Sequence, residues 1–222
     1  MAGRISGLYV ITDARRPPPV ALETAVAAAL RGGAGIVQYR DKSPDPARRQ
    51  AEAQAIGALC REAGATFIVN DDIDLARAVA ADGVHLGRDD GDIAAARAAL
   101  GDAGLIGVSC YDDLERARQA LAAGADYLAF GSVYPSPTKP DAVQAPLEIF
   151  AAARGLTDRP LVAIGGINAA NIAAVTAAGA DAAAVVDAVF GAADIERATA
   201  TLLARGFGPG PAASTRSKRQ QA

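Results

Sequence analysis

The sequence has no tryptophan, one methionine, one histidine and two cysteines in 222 residues. Cys60 lies in a helix-like segment and Cys110 in a strand-like one, which excludes a disulfide framework or a CxxC pair. Reduced thiols in a cytoplasmic protein are therefore expected. A nucleophilic Cys110 would need His85, the one histidine, as its base. Aromatic residues make up 5% of the chain, and no basic stripe interleaves with them. With 22 Lys and Arg against 25 Asp and Glu, the net charge of −3 also speaks against nucleic-acid binding. No apolar run approaches the ~18 residues of a membrane span. The opening MAGRISGLYVITD lacks a signal-peptide core and runs straight into a strand. Nothing here fixes an oligomeric state.

What the chain does have is apolar content, 51%, much of it alanine, which suits closely packed helices. A single domain of this length buries roughly 70–75% of its unfolded surface. Strand-like runs begin near Gly7, Ile36, Thr66, Gly83, Leu105, Tyr127, Pro160 and Ala182. Helical patterns alternate with them, from PPPVALETAVAAALRGG to DIERATATLLARG. Eight such units predict an α/β fold, a single (β/α)8 TIM barrel over residues 1–206, with an open doubly wound sheet as the alternative. Residues 207–222, GFGPGPAASTRSKRQQA from Gly206 onward, read as a disordered basic tail.

Seven of the runs stop at a polar residue or a glycine, and a closed parallel barrel gathers those strand ends into one mouth. In IVQYRDK, alternation puts Gln38, Arg40 and Lys42 on the face of Ile36. Two cations and an amide there suit a polyphosphate; the alternative is surface charges paired with Asp41 or Asp45. Asn70, Asp71 and Asp72 end one strand, and Asp89 and Asp90 end the next. Such carboxylates suit Mg²⁺ together with substrate phosphate oxygens. Asp72 also fits as the cap of a helix starting at Ile73, and spacing leaves Asp89 and Asp90 open. Ser109 has no evident base nearby and reads as a ligand-binding hydroxyl. GSVYPSPTKPD, with Ser136, Thr138 and Lys139, reads as a loop that folds over an anion. AIGGINAANI places two glycines before a helix capped by Asn168, a phosphate-binding arrangement after the seventh strand. His85 reads as a packed, hydrogen-bonded strand histidine and not as a catalyst.

In order along the chain, VQYRDK, IVNDD, ADGVHLGRDD, GVSC, FGSVYPSPTK and AIGGI resemble the thiamine-phosphate synthase family from Leu8 to about Phe190. That resemblance implies a barrel enzyme of the cytoplasm, a transferase in thiamine biosynthesis. It would join 4-amino-2-methyl-5-pyrimidinylmethyl diphosphate to a thiazole phosphate with Mg²⁺, releasing pyrophosphate. It implies that Gln38, Arg40, Lys42, Asn70, Ser109 and Lys139 hold the pyrimidine diphosphate. Arg40, Lys42, Ser109 and Lys139 would serve the reaction itself, and Asp71 and Asp90 would ligate the metal. Ser136, Thr138, Gly166, Val186 and Asp187 would hold the thiazole phosphate. The chain departs from the family in Ser136 for a usual Thr, Arg88 for a usual Gln, and Asp187 for a usual Ser. A carboxylate at that last place repels phosphate unless it turns away or a cation intervenes. A thiazole tautomerase, a non-catalytic phosphate-binding barrel and a sugar-phosphate isomerase are the competing readings.

Overall fold

The computed structural model describes residues 5–14, 20–88, 90, 92–135 and 143–208. Its strands are β1 (Gly7–Ile11), β2 (Ile36–Tyr39), β3 (Thr66–Asn70), β4 (Gly83–Leu86), β5 (Leu105–Tyr111), β6 (Tyr127–Phe130), β7 (Leu161–Ile164) and β8 (Ala182–Val185). Each pairs in parallel with the next, and β8 pairs with β1, so the sheet closes. Around it run α1 (Leu22–Arg31), α2 (Pro46–Ala63), α3 (Ile73–Ala78), α4 (Ile93–Leu100), α5 (Leu114–Ala122), α6 (Ile149–Arg154), α7 (Ile172–Ala177), α8 (Asp187–Phe190) and α9 (Ile195–Phe207). Among the described residues no helix is long and apolar enough to cross a membrane.

Strand alternation divides the apolar residues into two cores. Tyr9, Ile11, Ile36, Ile68, Tyr127, Ala129, Val162, Ala182 and Ala184 fill the barrel interior. Val10, Val37, Val69, Val84, Val108, Leu128 and Leu161 face the helices instead. Small residues on β8 leave the interior room for two buried tyrosines. Gly107 has the same effect on β5: a Cβ there would lie inside the Tyr127 ring.

Helix starts follow local chemistry. Asp45, Asp72, Asp92, Asp113 and Asp194 each accept a backbone N–H of the helix that they open. At the opposite end of the barrel Asp82, Asp126 and Asp181 accept the backbone amides of Phe67, Ile106 and Leu161, within the first two residues of their strands. Two expectations need correction. The helix after the glycine pair opens at Ile172, not at an Asn168 cap; Asn168 Oδ1 accepts from Ala170 N in a preceding turn. The positive φ angles of Gly165 and Gly166 swing the chain away first, so the helix cannot begin at once. The short α8 adds a ninth helix among those described. Phe207 still belongs to α9 and packs on the core, and the expected tail lies outside the described residues from 209 onward.

Candidate active site

At the carboxyl ends of the strands the barrel opens into a cavity of about 460 Å³. Every strand contributes to its lining or lies within one residue of a contributor: Tyr9, Gln38, Asn70, His85, Ser109, Ala129, Ile164 and Ala184 are among the walls. Gln38, Arg40, Asn70, Ser109, Gly166, Val186 and Asp187 all border it, although they span 150 positions of sequence, 38 to 187. Ser136, Thr138, Lys139 and Asp89 lie outside the described residues.

Charge gathers beyond the cavity wall. Lys42, Asp71 and Asp90 do not line the cavity themselves, and Lys42 and Asp71 follow the lining residues Arg40 and Asn70 by two positions and one. Lys42 Nζ lies 2.8 Å from Asp71 Oδ2 and 3.8 Å from Asp90 Oδ1. Asp90 is held by its other oxygen, which accepts from Gly87 N at 2.9 Å. A Cβ on Gly87 would overlap that carboxylate and displace it. Asp71 sits at φ 56°, a left-handed conformation that Asp tolerates better than most residues. Its N–H donates to His85 O at 2.9 Å, tying the end of β3 to β4. Two carboxylates thus converge on one positive point, and hard oxygens in that arrangement fit a magnesium ion.

Arg40 does not pair with the acids beside it in sequence. Its Nη1 lies 3.1 Å from Asp13 Oδ1, and Asp13 is buried at the end of β1. Thr12 Oγ1 accepts from Arg40 N at 2.9 Å, fastening the two strand ends together. Asp41 instead pairs with Arg48, on the helix side of the barrel. On the far side of the cavity Gly165 and Gly166 adopt φ 103° and 61°. A Cβ on either would overlap Ser132 or the Tyr134–Pro135 backbone, so this turn can exist only with glycine.

The floor is a continuous polar chain that the sequence did not announce. Gln38 Nε2 donates to Tyr9 Oη at 2.7 Å, and Tyr9 Oη meets Tyr127 Oη at 3.1 Å. Tyr127 Oη lies 3.1 Å from His85 Nδ1, and His85 Nε2 lies 2.9 Å from Ser109 Oγ. Ser109 therefore does have a potential base within reach, contrary to expectation. The partner comes from β4, 24 positions earlier, a distance at which local reading fails. Burial pushes both the Tyr9 and the Tyr127 phenol above their ordinary value. His85 is a packed, hydrogen-bonded strand histidine, as expected: its ring lies against Tyr127, both nitrogens have partners, and it borders the cavity. Tyr9 and Tyr127 were legible only by parity, two residues before the inward Ile11 and Ala129. Cys110 is buried on the helix side of β5, its thiol pushed up to about 12 by burial, and is no part of the site. Tyr111 also borders the cavity, with the Arg88 guanidinium 4.8 Å from its ring centroid.

Residues 8–189 match the family model described as thiamine monophosphate synthase. The chain is 60% identical over 202 residues to a thiamine-phosphate synthase of Halorhodospira halophila, covering 91% of this chain and 95% of that one. It is 54% identical over 213 residues to the thiamine-phosphate synthase of Chromobacterium violaceum, covering 94% and 99%. Among solved structures, a thiamine phosphate pyrophosphorylase from Pyrococcus furiosus superposes with a TM-score of 0.78 at 42% identity, covering 88% of this chain and 93% of that one.

Proposed function

The chain belongs to the thiamine monophosphate synthase family, and we propose how the mouth of its barrel carries out that condensation. The enzyme is a transferase. It joins 4-amino-2-methyl-5-pyrimidinylmethyl diphosphate to a thiazole phosphate, giving thiamine phosphate and pyrophosphate. The tautomerase and binding-protein readings give way to the synthase names of its relatives.

The observation that carries the site assignment is the Lys42–Asp71–Asp90 contact at the cavity rim. Asp71 and Asp90 would hold Mg²⁺, which when bound supplies charge neutralisation to diphosphate oxygens. Lys42 then moves from the carboxylates to the diphosphate, and Arg40, oriented by Asp13, faces the same anion. Asn70 and Ser109 hold the pyrimidine end of the substrate, with Gln38 beside them. As the methylene C–O bond breaks, its electron pair leaves with pyrophosphate, where these cations stabilise it. The electron-rich aminopyrimidine carries the developing positive charge until the thiazole nitrogen donates its lone pair and the C–N bond forms. Gly166, Val186 and the backbone beside Asp187 receive the thiazole phosphate; Ser136 and Thr138 are assigned to the same phosphate and Lys139 to the diphosphate. No covalent enzyme intermediate is needed, so Ser109 acts as a donor and not as a nucleophile.

We also assign the chain as far as the end of α9 at Phe207 to this one catalytic barrel and place the protein in the cytoplasm, a reading supported by two unpaired buried thiols. The deciding experiment incubates the purified protein with Mg²⁺ and both substrates. Stoichiometric pyrophosphate and thiamine phosphate are expected; no product above background at saturating substrate would reject the reading.

A further inference from the structure

Tyr127 is fully buried and is not among the residues that line the cavity, yet its hydroxyl links two groups that are. The Tyr9–Tyr127 contact and both His85 contacts each admit either donor, and one self-consistent set of directions runs the length of the floor from Gln38. The Gln38 amide N–H donates to the Tyr9 oxygen. A phenol has a single proton, and in that set the Tyr9 proton points to the Tyr127 oxygen, 3.1 Å away. Tyr127 in turn donates to His85 Nδ1 at 3.1 Å, so that nitrogen is bare. The imidazole proton then sits on Nε2 and is donated to Ser109 Oγ at 2.9 Å. Having accepted within the chain, Ser109 keeps its own O–H for the cavity that it lines. Desolvation keeps both phenols protonated, so the sequence of donors is not broken by ionisation. Reversing the Gln38 carboxamide would reverse every one of these donors and leave Ser109 an acceptor.

We propose that Tyr127 is a positioning residue that holds His85 in its Nε2–H form and thereby makes Ser109 a fixed donor toward an unprotonated ring nitrogen. At the other end Gln38, its N–H committed to Tyr9, offers its carbonyl oxygen to an amino group. A ring bearing both features is an aminopyrimidine, so the identity of the ligand rests on the synthase reading; the tautomer does not. The fold makes room for the device: Gly107 is the residue on which the Tyr127 ring lies, and no side chain would fit there. A buried group aimed at a wrong partner costs far more than one exposed, which gives this remote hydroxyl leverage over ring choice.

The chain has one histidine, so ¹⁵N-histidine labelling of the full-length protein reports a single imidazole. A bare Nδ1 with the proton on Nε2 is expected, shifting toward the Nδ1–H form in Tyr127→Phe. In the coupled assay that variant should raise KM for the pyrimidine diphosphate about tenfold or more, and KM for the thiazole phosphate by less than about twofold. A thermal melt establishes that it is folded. A wild-type imidazole protonated on Nδ1 overturns the proposal. So does a folded Tyr127→Phe protein with KM values unchanged or raised alike. Should the variant not fold, the wild-type tautomer decides alone. Absence of thiamine phosphate from the wild type defeats the synthase reading by itself, and the tautomer still tests the relay.

Discussion

Asp71 ends β3 with a left-handed φ of 56° and a carboxylate 2.8 Å from Lys42. Its backbone and its charge are separable. Asn tolerates that conformation and lacks the charge, whereas Ala fails on both counts. Asp71→Asn is expected to keep its resistance to urea, and Asp71→Ala to lose about 1–2 kcal/mol. Both should lose on the order of 10² to 10⁴ in the rate of pyrophosphate release, because a carboxylate of the anion-neutralising group is gone from each. Full activity in Asp71→Asn would remove Asp71 from the chemistry. The place of this residue was legible in the sequence, because a polar cluster at a strand end points to the barrel mouth. Its companion Lys42 was legible for the same reason. Arg40 was legible but its partner was not. Asp13 lies 27 positions earlier at the end of β1, and only closure of the sheet brings the two to 3.1 Å. His85 was legible as a hydrogen-bonded strand residue but its partners were not, since a single histidine in a strand gives no sign of hydroxyls 24 and 42 positions further on.

Strands were easier to read than what they carry. Period-two alternation gives the inward residues of β1, β2 and β3 directly, and the capping aspartates announce most helices. Two features at this scale escaped. The turn of residues 165–171 delays α7, and β5 has a register shift between Ser109 and Tyr111. The shift turns Tyr111, at φ 57°, toward the cavity, where simple alternation would also have put it. Gly107 shows what alternation conceals: a glycine in a strand looks like a weak point, yet here it is the bed of a ring on β6. Gly107→Ala should overpack the interior and cost about 1–3 kcal/mol in urea unfolding. It should also lower activity, because the displaced ring is that of Tyr127. Unchanged stability would mean that β5 and β6 separate freely, contrary to a close-packed barrel interior.

For the whole molecule, the decisive fact is that β8 pairs with β1. Eight repeated units implied closure without displaying it, since no local pattern records a contact between Gly7 and Ala182. Closure is also why binding should be felt globally. The groups at the rim come from separate strands, so a ligand that bridges Lys42, Asp71 and Asp90 fastens the ends of β2, β3 and β4 to one another. A ligand specific to the native state, present at 100 times its Kd, stabilises by about 2.7 kcal/mol. In a domain of this size that raises Tm by roughly 5–11 °C. Mg²⁺ with pyrophosphate should therefore produce a clear upward shift in a thermal melt, and either component alone a smaller one. The reason lies in charge. Without the metal, a multiply charged anion approaches a rim where two carboxylates already engage the ammonium of Lys42. With the metal, those carboxylates are neutralised and the ammonium is released to the ligand. The same melt on Asp71→Asn should lose the cooperation between metal and pyrophosphate while retaining the fold. If pyrophosphate alone shifts the wild type as far as the pair does, the rim carboxylates do not hold the cation, and the magnesium assignment fails with them.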